Sequence, residues 1–166
     1  MALPKVEQQI EHVGDILAMR RAERLVVVVG FDGSEASERA LQSAKKLIAG
    51  RLGVLVVVFV AKASGVAAMN PSAIGEIRYG LDAEARQLES ALPALLGEER
   101  RWRFVRRDGE VAEQLMAVAR EEDASFGPDA SVMVVVGKAS KRLHHLVGSV
   151  PVGLVRHESF PVVVVP

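Results

Sequence analysis

Five apolar residues in succession, Val132-Met133-Val134-Val135-Val136, run directly into Gly137. A strand with one wet face alternates apolar and polar residues, so an unbroken run is at home only where both faces are covered, as in a parallel sheet sandwiched between helices. Leu25 to Val29 and Val54 to Val60 repeat the pattern, and Phe160-Pro161-Val162-Val163-Val164-Val165 gives a shorter terminal version. The residues after Gly137 are small, basic and polar until apolar spacing resumes, which spells strand, loop and helix start. In an open parallel sheet, ligands collect at the carboxyl ends of strands, where backbone amides and helix starts can hold negative charge. Gly137 to Ser149 is therefore the first place to look for function.

Between the apolar runs the period changes to that of a helix. Gly30-Phe31-Asp32-Gly33-Ser34 closes the first run, and Ala36, Ala40, Leu41, Ala44, Leu47 and Ile48 then recur at helical spacing up to Gly50. Small residues from Ala61 to Gly75 lead into a long helix expected over about Ile74 to Leu96, with Gly80 and Pro93 inside it. Arg101 to Arg107 is expected as a short, charged strand, Asp108-Gly109-Glu110 as the opening of another helix, and Ser125-Phe126-Gly127-Pro128 as a loop. A last helix is expected from Ser149 to about His157. Ahead of all this, Leu3, Val6, Ile10, Val13 and Leu17 fall on one side at helical spacing, giving an N-terminal helical extension over residues 1–23 before a single domain over 24–166. Alternating β and α elements imply right-handed crossovers and a five-stranded parallel sheet with helices on both faces.

Composition narrows the function. Lys plus Arg and Asp plus Glu are 21 each, so no global field recruits nucleic acid or an acidic membrane surface. Arg101-Trp102-Arg103-Phe104 interleaves basic and aromatic residues as single-strand binders do, but neighbouring Glu98 and Glu99 and the protective value of charge on a sheet edge favour a structural role. There is no cysteine, hence no disulfide, thiolate nucleophile or Cys-ligated metal. The apolar runs are too short to span a bilayer and the acidic start is unlike a secretory leader; a cytoplasmic protein is expected.

Taken together, Val27-Val28-Val29-Gly30-Phe31-Asp32-Gly33-Ser34, Asp108-Gly109-Glu110-Val111-Ala112, Val134-Val135-Val136-Gly137 with Gly148-Ser149-Val150, and Leu154-Val155-Arg156-His157 with Pro161-Val162 resemble the universal stress protein family. The resemblance implies an adenine nucleotide alpha-hydrolase-like, Rossmann-like fold with strand order 3-2-1-4-5, a stress-response role, and ATP or another adenine nucleotide as ligand, with Mg accompanying its phosphates. It implies that Asp32 and Val60 hold the nucleoside and that Gly137, Gly148 and Ser149 meet the phosphates; Lys138, Ser140 and Val150, in the same stretch, are further candidates for nucleotide binding. Ser140 stands where the family pattern has a second Gly, and only Lys141 to Val147 separate it from Gly148, so the loop offers fewer amides. Lys138, Lys141 and Arg142 are either charge partners that compensate or a solvated surface; Ser149 is a phosphate ligand or an N-cap.

Two other readings stand beside nucleotide binding. One is an interaction protein that works without nucleotide. The other is a nucleotide-hydrolysing or nucleotidyl-transferring enzyme, for which Lys138-Ala139-Ser140-Lys141 is a superficial match, but Phe31-Asp32-Gly33-Ser34 lacks the His such chemistry needs and no catalytic residue is named. A homodimer through the uncharged Val162–Val165 edge is expected, with the N-terminal helix as a competing cover.

Overall fold

The computed structural model describes residues 24–62, 74–138 and 160–166. The N-terminal extension, the expected helix from Ser149 to about His157, and Ser140, Lys141, Arg142, Gly148, Ser149 and Val150 lie outside the described residues. The elements are β1 (Arg24–Gly30), α1 (Glu35–Ile48), β2 (Gly53–Ala61), α2 (Ile74–Leu96), β3 (Trp102–Asp108), α3 (Val111–Phe126), a 3-10 turn (Gly127–Asp129), β4 (Ala130–Gly137) and β5 (Val162–Val165). All five strands run parallel in the order β3-β2-β1-β4-β5. This is the strand order that the family resemblance implies.

The apolar runs are unbroken because the sheet has two dry faces. Val27 and Val29 of β1 pack with Leu41, Ala44 and Ile48 of α1 and with Leu92 and Leu96 of α2. Val26 and Val28, pointing the other way, pack with Leu115, Met116, Val118 and Ala119 of α3. Within the sheet, Val27 is opposite Leu55 of β2 and Met133 of β4.

Three boundaries differ from expectation. Strand β3 begins at Trp102 and ends at Asp108; the Arg101 carbonyl just before it still accepts the Leu55 N–H of β2 at 2.8 Å, while its guanidinium is held by Glu99 and by the Arg51 carbonyl. Helix α3 accordingly starts at Val111, with Glu110 as its N-cap. The loop expected at Ser125–Pro128 is instead the last turn of α3, continuing to Phe126, followed by the 3-10 turn. Phe126 is drawn inward because it packs on the α3-side core and lies under the Arg24 guanidinium, 5.0 Å from the ring centroid. Pro93 sits within α2 on an exposed position, and the helix runs through it.

The charge on β3 does more than keep its edge in water. Arg103 and Arg107 pair with Glu122 and Glu121 of α3, and Arg106 reaches Asp82 of α2 at 3.0 Å. The edge strand is tied to the helices above and below it. At the opposite edge, β5 pairs with β4, and the Pro166 carbonyl that follows it accepts from the Arg39 guanidinium of α1 at 2.9 Å; Val164 is 39% exposed.

Candidate functional site

Strand order changes its direction of growth between the neighbours β1 and β4, and in open parallel sheets it is at such a point, beyond the carboxyl ends of the strands, that ligands bind. On the β1 side, Phe31 still belongs to the ladder, its N–H donating to the Val58 carbonyl at 2.9 Å. Asp32 is the first residue clear of it. The Asp32 Oδ1 accepts the Ser34 N–H at 3.0 Å, and the Asp32 N–H donates to the Ser37 hydroxyl oxygen at 3.3 Å. Ser34 caps α1 by accepting the Ser37 N–H at 3.2 Å, while the Ser37 hydroxyl donates to the Ser34 carbonyl at 2.9 Å. This closed turn needs Gly33, whose φ of 75° lies in the left-handed region and whose missing Cβ would stand 2.7 Å from the Leu88 Cδ2.

The turn also fixes the charge of Asp32. Desolvation is the largest single influence and pushes its pKa up, but hydrogen bonds from Ser34, Ser37 and its own backbone together outweigh it and hold the carboxyl below its ordinary range. At neutral pH it is an ionised acceptor at the crevice.

On the β4 side, Gly137 meets the first turn of α1. A Cβ there would lie 2.2 Å from the Ala36 carbonyl oxygen and 2.4 Å from its carbon, so strand end and helix start approach as closely as backbones can. The Lys138 N–H then donates to the Val165 carbonyl at 2.6 Å, and the Lys138 side chain is exposed. Val60 is half-buried near the end of β2, on the α3 side of the sheet. Because Gly30 is opposite Val58, extending the register sets Asp32 level with Val60. Asp32, Val60, Gly137 and Lys138 therefore share one end of the sheet.

A model of the universal stress protein family, described as such, matches residues 24–166. The chain belongs to the universal stress protein family. Among solved structures, universal stress protein UspA from Lactobacillus plantarum is 20% identical, with 86% of this chain and 97% of that one covered and a TM-score of 0.68. A universal stress protein from Burkholderia pseudomallei is 25% identical over 85% of this chain and 95% of its own, at a TM-score of 0.53. A universal stress protein in complex with cAMP is 23% identical over 86% and 97%, at 0.59. No curated protein matches the chain.

Within this universal stress protein domain, three rim residues were not singled out from sequence. Ala36 matters through its backbone; the only signal in the chain is a small residue in the first turn of a helix. Lys62 and Glu110 form an ion pair at 3.2 Å between the exit of β2 and the N-cap of α3. Their signals are equally slight: a cation just after an apolar run and an acid just before a helix. Among the described residues, no group of three His, Asp or Glu side chains could hold a metal, and no helix is long and apolar enough to cross a membrane.

Proposed function

We propose that this protein binds an adenine nucleotide in the crevice between β1 and β4 and acts as a dimeric regulator in the stress response rather than as an enzyme. The observation that carries the reading is the Asp32 turn: a carboxylate kept ionised at a strand end, level with apolar Val60 and beside the Gly137–Ala36 contact. An ionised carboxylate accepts hydrogen bonds from nucleoside hydroxyl or amino groups, and Val60 offers an apolar surface to a base. The family member found in complex with cAMP supports the same ligand class. In this reading Gly137 and Lys138 open the phosphate side, with Ser140, Gly148, Ser149 and Val150 completing it, and Mg accompanies a triphosphate.

Calorimetric titration with ATP, ADP and AMP tests the proposal. Binding is expected, and Asp32→Ala is expected to weaken it about tenfold, the scale of one hydrogen bond to a charged group. No heat and no thermal shift at millimolar nucleotide refutes it. The homodimer rests on the β5 edge, where uncharged Val162–Val165 pairs on one side and Val164 is exposed. A two-fold pairing of this edge covers it and closes without forming a filament.

A further inference from the structure

Lys62 and Glu110 form an ion pair at the rim, at the exits of β2 and β3. Backbone geometry brings them together: the Gly109 N–H donates to the Ala61 carbonyl at 3.2 Å, which ties the β3–α3 turn to the exit of β2. Lys62 follows immediately after Ala61 and Glu110 immediately after Gly109, and their side chains meet at 3.2 Å. Glu110 occupies the N-cap position of α3, yet its side chain makes no capping hydrogen bond; the carboxylate is turned to Lys62 instead. The side-chain amide of Gln114 folds over the same turn, with Nε2 3.2 Å from where a Gly109 Cβ would be. An ammonium, a carboxylate and an amide thus crowd one corner of the rim.

That corner lies beyond Val60 on the side away from Asp32. Asp32 leaves β1 and Glu110 follows β3, two strands over, so the two carboxylates are separated across the rim by about two strand spacings, ~9.5 Å. That is the scale of a purine nucleoside laid across the strand ends, its ribose toward Asp32 and its base over Val60.

We propose that Lys62 and Glu110 read the edge of an adenine base, and so set the specificity of the crevice. This assignment rests on the nucleotide reading above. The ionised Glu110 carboxylate can only accept hydrogen bonds, and the Lys62 ammonium can only donate. Adenine offers a 6-amino donor beside a ring-nitrogen acceptor, and the assignment pairs the amino group with Glu110 and the ring nitrogen with Lys62. Hypoxanthine reverses it, presenting a 6-oxo acceptor and a ring N–H donor. It would place an acceptor against the carboxylate, and a site built for one pattern rejects the other because its polar groups are left unpaired.

The test is titration of the full chain with ATP and with ITP, the same nucleotide carrying hypoxanthine, for the wild type, Glu110→Gln and Glu113→Gln. Glu113 is an exposed acid in the first turn of α3 and controls for the loss of one charge near that helix start. The wild type and Glu113→Gln are expected to prefer ATP about tenfold, as one charge-assisted hydrogen bond warrants. Glu110→Gln, whose amide can both donate and accept, is expected to bring the ratio close to one. Equal affinity of the wild type for ATP and ITP, or a Glu110→Gln protein that keeps the wild-type preference, overturns the assignment and leaves the nucleotide reading standing. A wild type that binds neither nucleotide overturns both.

Discussion

Replacing Gly137 with alanine tests how the crevice is built. The added methyl would sit 2.2 Å from the Ala36 carbonyl oxygen and 2.4 Å from its carbon, against a comfortable separation of about 3.5 Å. Relief therefore requires roughly 1 Å of movement between the end of β4 and the first turn of α1. Neither side yields easily. Gly137 pairs with Val165 and is followed by the Lys138 hydrogen bond to the same residue, while α1 is pinned by its Ser34 cap and by Ala40, Leu41 and Ala44 in the core. Overpacking costs about 1–3 kcal/mol, and a clash with backbone belongs at the upper end, so about 3 kcal/mol is expected. Gly30, at the end of the adjacent strand, is the comparison: its added Cβ would meet the Leu115 Cδ1 at 3.3 Å, a side-chain tip that can turn aside, so Gly30→Ala should cost less than about 1 kcal/mol. Urea unfolding of both variants, at unchanged m-value, measures the difference. A Gly137→Ala protein as stable as wild type, or no less stable than Gly30→Ala, would refute the close-packing argument.

Arg103→Ala should destabilise the fold by about 3 kcal/mol, since it strands the Glu122 carboxylate, which is only 4% exposed; Arg103→Ala with Glu122→Leu should recover most of the loss in the same unfolding assay, and failure to do so counts against a desolvation origin. Hydrogen bonds from Arg101 hold the Glu99 carboxyl down to about 2, so the stability it contributes is complete above the ordinary carboxylate range and is lost as pH falls toward 2; Glu99→Gln should flatten the stability profile in that window, and an unchanged profile contradicts the assignment. Val164→Lys should convert the proposed homodimer to monomer in light scattering without changing the far-UV dichroism; a dimer that survives the lysine places the interface elsewhere.

Most of the fold was written in local pattern. Unbroken valine runs demand a sheet buried on both faces, and helical spacing between them demands crossovers, so the parallel architecture followed from periodicity and the family resemblance supplied the strand order. Local sequence also marked Asp32-Gly33-Ser34, because a carboxylate, a left-handed glycine and a cap make their hydrogen bonds within a few residues of one another. Chain neighbours alone could not show what happens between elements. Phe126 belongs to α3 rather than to a loop because Arg24 and the α3-side core receive its ring. Gly137 looked like a glycine selected for the ligand loop. Its backbone contact with Ala36, about a hundred residues earlier, gives a second reason that no local pattern contains. The pairing of Lys62 with Glu110 is of the same kind, created only when strand register brings the exits of β2 and β3 side by side. Periodicity is a property of neighbours along the chain and fixes which face is dry; the rim of the crevice is assembled from residues distant in sequence, so its chemistry was decided by the tertiary structure.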